Sequence, residues 1–166
     1  MLSKKVQKAL NEQINAELYS AYIYLSMSNQ LESNNLPGMA SWLRIQATEE
    51  MGHAMKIYDF VHERNGEVEL TKIDAPPAKW GTPLRTFEAA YEHEKKVTRM
   101  IHDIVDLAVA EKDHATNIFL HWFVDEQVEE EASALEVVEK LKMVKDYPGG
   151  LFMMDRELGQ RQSGGE

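Results

Sequence analysis

Glu49-Glu50-Met51-Gly52-His53 and Asp125-Glu126-Gln127-Val128-Glu129-Glu130 are the stretches whose reading decides the fold. In each, two polar residues at helical spacing, Glu50 with His53 and Gln127 with Glu130, stand where the flanking pattern calls for apolar ones. The first seam runs Met39, Leu43, Gln46, Glu50, His53, Ile57, Phe60, and the second Leu120, Phe123, Gln127, Glu130, Ala134, Val137, Leu141. Two more seams carry one carboxylate each: Leu10, Gln13, Glu17, Ser20, Tyr24, Met27, Leu31, and Phe87, Ala90, Glu94, Val97, Ile101, Ile104, Ala108. Steps of three and four residues are those of packed, nearly antiparallel helices. Glu17, Glu50 and His53 recur as Glu94, Gln127 and Glu130, 77 positions later in each case, and Glu49 maps onto Glu126 by the same offset. Four carboxylates, an imidazole and a carboxamide in one core would be ruinous unless cations sit among them.

Around these seams the chain punctuates itself into five helices, over about residues 4–32, 37–64, 84–112, 114–142 and 150–158. Ser3 and Asp113 are capping residues, Pro37 opens the second helix, and Asn65-Gly66 closes it. Residues of about 65–83 hold Pro76-Pro77, Gly81 and Pro83 and are irregular. A connection of that length, reaching about 60 Å when extended, exceeds what adjacent antiparallel helices need. It predicts a crossover along a four-helix bundle, with the short fifth helix after Tyr147-Pro148-Gly149-Gly150 and a mobile polar tail over 160–166. The expected fold is therefore all-α and the 166 residues form a single domain.

Composition removes several function classes. With no cysteine, disulfides, thiolate zinc sites, iron–sulfur clusters and cysteine nucleophiles are excluded, leaving oxygen and nitrogen ligands. A net charge of −10 argues against nucleic acid as a partner. No stretch approaches the roughly 18 apolar residues of a membrane span, and the start shows no secretory signal, so a cytoplasmic location is expected.

Glu17, Glu50, Glu94 and Glu130, if ionised, carry four negative charges, which two divalent ions neutralise. His53 adds a neutral imidazole from the same helical face as Glu50. Carboxylate-rich ligation favours Fe³⁺ over Fe²⁺, so a ferrous pair held here is open to oxidation by O₂ or H₂O₂. Each piece alone is weak, because an isolated Glu-x-x-His is ordinarily a solvated helix face. The argument rests on six placements on apolar seams with one repeated offset.

Asn15-Ala16-Glu17 with Tyr19 and Tyr24, Glu49-Glu50-x-x-His53, Tyr91-Glu92-His93-Glu94 and Asp125-Glu126-Gln127-x-x-Glu130 together resemble the non-haem ferritins of bacteria and archaea, over almost all of residues 1–158. The resemblance implies a ferritin-like four-helix bundle and a ferroxidase that stores ferric mineral in a hollow shell of 24 subunits. It implies one iron site from Glu17, Glu50 and His53, and a second from Glu50 as bridge with Glu94 and Glu130. Gln127 would be a weak ligand or would orient bound O₂ or water. Glu49, Glu126 and Glu129, with Glu130, match a third, weaker iron site whose plain alternative is a solvated acidic patch. Tyr24 would donate an electron or a hydrogen bond to the centre; without the family it reads as a core tyrosine.

Di-iron bundles often carry a second Glu-x-x-His motif. Here Gln127 and Glu130 stand in its place, which argues against a haem-containing bacterioferritin, and no haem is expected. Met51, directly after Glu50, is expected to pack against another helix or subunit. The alternative from another class is a non-catalytic helical scaffold with a relic acidic core. His62, His93, His102, His114 and His121 lack paired spacing on the seams and are expected at the surface, while Trp42, Trp80 and Trp122 are expected to pack.

Overall fold

Helices begin here where a capping side chain, or a proline, meets the start of an apolar seam. In the computed structural model, which describes residues 2–164, five α-helices and no strand are found among those residues. They are α1 (Lys4–Ser33), α2 (Pro37–Glu63), α3 (Pro83–Ala110), α4 (His114–Val144) and α5 (Pro148–Leu158). The Ser3 hydroxyl accepts from the Val6 N–H to start α1, Thr82 accepts from Arg85 to start α3, and Asp113 accepts from Thr116 to start α4. The turn after α2 places the left-handed conformation on Asn65 (φ 55°) rather than on Gly66.

Cross-helix pairs fix the directions. Gln46 meets Glu130, Phe60 stacks on Phe119 and Arg64 pairs with Asp113, so α2 and α4 run antiparallel. Ser20 meets His93 and Tyr24 meets Glu94, which relates α1 to α3, while Gln127 meets Glu94 between α4 and α3. The connection between α2 and α3 climbs α1 step by step. Gln7 accepts from the Glu67 N–H, Asn15 donates to Thr71 and Lys72, Ser26 donates to Pro77, and Gln30 holds Trp80 and Gly81. From Gln7 to Gln30 the helix rises about 35 Å at 1.5 Å per residue, so the segment runs the bundle's length. This is the long crossover that the proline-rich stretch predicts, pinned by side chains of α1. The architecture is an all-α four-helix bundle with α1 and α4 pointing one way and α2 and α3 the other.

The apolar core divides into two clusters. One gathers Tyr24, Met27, Leu31, Met39, Leu43, Phe87 and Leu141 with α5's Met154 and Leu158. The other gathers Leu10, Ile14, Ile57, Phe60, Val97, Ile101, Leu120 and Phe123. Between them lie Glu17, Glu50, His53, Glu94, Gln127 and Glu130, all buried. The polar residues on the four seams thus form one layer across the middle of the bundle.

The short fifth helix is tied to the bundle by a close backbone approach. Leu36, before α2, offers no side-chain cap, and the Met39 N–H instead donates to Asp155 of α5 (2.9 Å). A Cβ on Gly38 would lie 1.7 Å from the Asp155 carbonyl oxygen, so only glycine lets α5 sit there. Of the tail expected to be mobile, residues 165 and 166 lie outside the described residues, while Arg161 makes three hydrogen bonds to α2. Gly38→Ala is expected to lift α5 off the bundle. Hydrogen exchange should then show α5 amides losing protection while those of α1–α4 keep theirs; unchanged α5 protection would refute the close-approach argument.

Candidate metal centre

Two groups of three donors meet in the polar layer and share one member. Glu17, Glu50 and His53 form the first and Glu50, Glu94 and Glu130 the second, with the donor atoms of each group within 4.8 Å of one another. Glu50 is common to both, and its position on α2 between the α1 and α4 contributions puts it at the centre. Glu17 and Glu50 are each 1% exposed and Glu130 6%. The Glu17 Oε2 atom is buried with no hydrogen-bond partner. A carboxylate oxygen left so is costly unless a proton shared with Glu50 or a cation among these donors satisfies it. The donor set is all oxygen and nitrogen, which suits iron, manganese or zinc.

A ring of amides and a phenol holds the carboxylates. Gln13 donates to Glu17 Oε1 (2.7 Å), and Gln46 donates to both Glu50 Oε1 (3.2 Å) and Glu130 Oε2 (2.5 Å). Gln127 donates to Glu94 Oε2 (3.1 Å), so it serves a carboxylate through its amide nitrogen. The Tyr24 hydroxyl donates to the other oxygen of Glu94. These partners fix which lone pairs remain free to face an ion. Gln13 and Gln46 lie four residues before Glu17 and Glu50 on the same seams. That i, i+4 spacing is the signal from which their role could have been read.

His53 is oriented from both sides. Its Nδ1 lies 3.5 Å from Glu50 Oε2 and its Nε2 3.7 Å from Glu126 Oε1, while Trp122 and Phe123 meet the ring edge-on. A proton on Nε2, the nitrogen facing the Glu126 carboxylate, leaves the Nδ1 lone pair directed toward the centre.

Burial sets the electrostatics. It pushes the Glu17, Glu50 and Glu94 carboxyls above the usual carboxylate range, with the Glu50 charge adding to it at Glu17 and the Glu94 charge at Glu50. Burial and the Glu94 charge raise Glu130 to about 8. Burial pulls the His53 imidazole down, but the nearby Glu126 carboxylate and the charges of Glu17 and Glu130 outweigh this and raise it. Burial and the Glu94 charge push the Tyr24 phenol up, so it stays protonated. Without cations, the centre therefore holds protons at neutral pH, and a metal must displace them.

The residues expected in an outer site separate. Glu126 joins His53 and Glu130 in a third group of donors. The Glu49 carboxylate is instead taken by Arg161 (2.6 Å), and Glu129 is exposed and in none of the groups found among the described residues. His93, expected at the surface, is half-buried: its Nε2 meets Ser20 Oγ (2.7 Å) and its ring lies edge-on to Tyr19 and Tyr24. Because Ser20 spends its proton on the Ala16 carbonyl, the His93 nitrogen is the donor. Burial, with Lys96 nearby, lowers this imidazole to about 4, so it is neutral near pH 7. Its wheel position faces α1, a contact that the seam periodicity of α3 does not reveal.

Because the folded carboxyls bind protons more tightly than the unfolded ones, the stability they contribute is complete below pH 4.5 and is lost as pH rises toward about 8. In metal-free protein, Glu130→Gln is expected to match the parent near pH 4.5 and to exceed it by roughly 1–4 kcal/mol near pH 8. Urea melts across that range check this, and a parent as stable as the variant at the upper end would contradict it.

The family described as "Ferritin-like domain" matches residues 7–144. The bacterial non-heme ferritin of Bacteroides fragilis is 48% identical over 161 residues, covering 97% of this chain and 100% of its own. That of Campylobacter jejuni is 41% identical over 158 residues, 95% of each chain. Among solved structures, an open pore ferritin from the hyperthermophilic archaeon Archaeoglobus fulgidus superposes with a TM-score of 0.97 at 52% identity, covering 98% of this chain and 100% of that one. A humanized archaeal ferritin gives 0.98 at 50% identity, covering 99% and 100%.

Proposed function

Because this chain belongs to the ferritin-like family, we propose that it is a non-haem ferritin, which oxidises Fe²⁺ at a dinuclear centre and stores the ferric product inside a shell of its own copies. The observation that carries this reading is Glu50, buried and common to two donor groups, beside a buried Glu17 oxygen that no amide or hydroxyl serves. Ferrous ions are the substrate. One binds with Glu17, Glu50 and His53, the other with Glu50, Glu94 and Glu130, and Glu50 serves both.

Binding expels the protons that burial holds on the carboxyls, which makes affinity rise with pH. The resulting carboxylates favour the ferric state, so each ion gives up one electron. The two electrons and two protons convert O₂ to H₂O₂, or H₂O₂ to two waters. Tyr24, kept protonated, steadies Glu94 by its hydrogen bond. Gln127 steadies the other Glu94 oxygen, and Gln46 ties Glu50 to Glu130. Carboxylates that shift between bridging one ion and releasing it let the product move on.

Assembly is supported by apolar side chains that α4 and α5 leave in water. Met143, Tyr147, Phe152 and Met153 are 65–78% exposed at that end of the bundle. Large apolar side chains left this exposed are what association surfaces present. No helix among the described residues is long and apolar enough to cross a membrane.

His53→Ala and Glu50→Ala are expected to slow the fast phase of aerobic Fe²⁺ oxidation at least about 10-fold, as loss of a primary metal ligand or partner does. Stopped-flow absorbance measures it, and parent-like rates in Glu50→Ala would rule out the bridge. Sedimentation should find a large closed assembly. A stable monomer or dimer under all salt and iron conditions would remove storage and leave the metal centre.

A further inference from the structure

Arg161, in the C-terminal segment, reaches the metal centre's surroundings. Its guanidinium donates to the Trp42 carbonyl (3.3 Å), to Gln46 Oε1 (2.9 Å) and to Glu49 Oε2 (2.6 Å), and it lies over the Trp42 ring at 4.2 Å. The side chains of Arg161 and Glu49 are only 21% and 24% exposed. The tether is short: Leu158 is buried, the Arg161 N–H donates to the Leu158 carbonyl, and α5 is fixed to α2 by Asp155. Arg161 is therefore held beside α2 rather than sampling solvent.

Its two acceptors lead in different directions. Gln46 passes to Glu50 and Glu130 through its amide nitrogen. Glu49 lines one open groove with His53, Glu126, Ser163 and Gly164, and its charge acts on Glu130. Glu49 is absent from the donor group of His53, Glu126 and Glu130, and its Oε2 accepts from the guanidinium. A metal ion at Glu49 has to share that carboxylate with the guanidinium or displace it, and the two cations repel each other.

We propose that Arg161 is a tethered cation held on Glu49, so that a further divalent ion binds only weakly at the outer edge of the centre while the C-terminal segment is in place. The inference rests on the metal-centre reading above and adds a competitor to it. Because the competitor belongs to the same chain, its effective concentration is high and the outer site is kept weak. The two inner ions meet no such rival. The outer site thus fills last and empties first.

Titration of the full-length, metal-free protein with Zn²⁺ by calorimetry tests this, using Zn²⁺ because it is redox-inert. In Arg161→Gln, the weakest binding step is expected to tighten by about 10-fold, within the usual range of coupling between sites. Arg161→Lys, which keeps the charge without the fork, should give a smaller gain. The gain should vanish when Arg161→Gln is made in a Glu49→Gln background. A merely structural role for Arg161 predicts weaker binding instead, and unchanged or weaker affinity in both single variants would overturn the proposal. An equal gain in the Glu49→Gln background would overturn it too. Absence of any tight Zn²⁺ binding by the parent sinks the metal centre itself, whereas failure confined to the last step sinks only the role of Arg161.

Discussion

The repulsion among buried carboxylates around Glu50 is the constraint on which the rest of this molecule is built. Glu50 is 1% exposed and has Glu17, Glu94 and Glu130 as neighbours, in a layer between two apolar clusters. Dry surroundings magnify that repulsion, and protons or cations are the two means of relieving it. The chain provides for both. Its amides and its phenol aim donors at the carboxylates, and its raised carboxyl pKa values store protons that a cation can replace.

Rigid positioning follows from where the donors lie. Glu17, Glu50 with His53, Glu94 and Gln127 with Glu130 come from the middle of four helices of 27 to 31 residues. Apolar packing above and below holds each helix in register, so the centre inherits its geometry from the bundle. Long helices also carry the centre far from the helix ends. The crossover adds to this by clamping α1 along its length, and α5 by capping α2 from outside.

Much of this was legible in the sequence because its signals are local and long. Seams of seven residues per helix specify faces strongly, and polar intruders on them stand out against the pattern. The proline-rich connection announced its own length. What lay outside those seams was not legible. Glu49 and Glu50 are neighbours in sequence, but adjacent residues on a helix point about 100° apart. Glu49 therefore faces Arg161 while Glu50 faces the core, and Glu126 turns to His53 while Glu129 faces water. A repeated offset cannot separate these directions. His93 was misread because its burial depends on α1 being beside it, and Arg161 because its partners lie 112 to 119 residues away.

Anomalous diffraction from crystals soaked anaerobically with Fe²⁺ tests the central claim most directly. Two peaks are predicted in the polar layer, one among Glu17, Glu50 and His53 and one among Glu50, Glu94 and Glu130, with Glu50 touching both. No peak in that layer, or iron bound only at surface carboxylates while Glu17 keeps its unpartnered oxygen, would contradict the account.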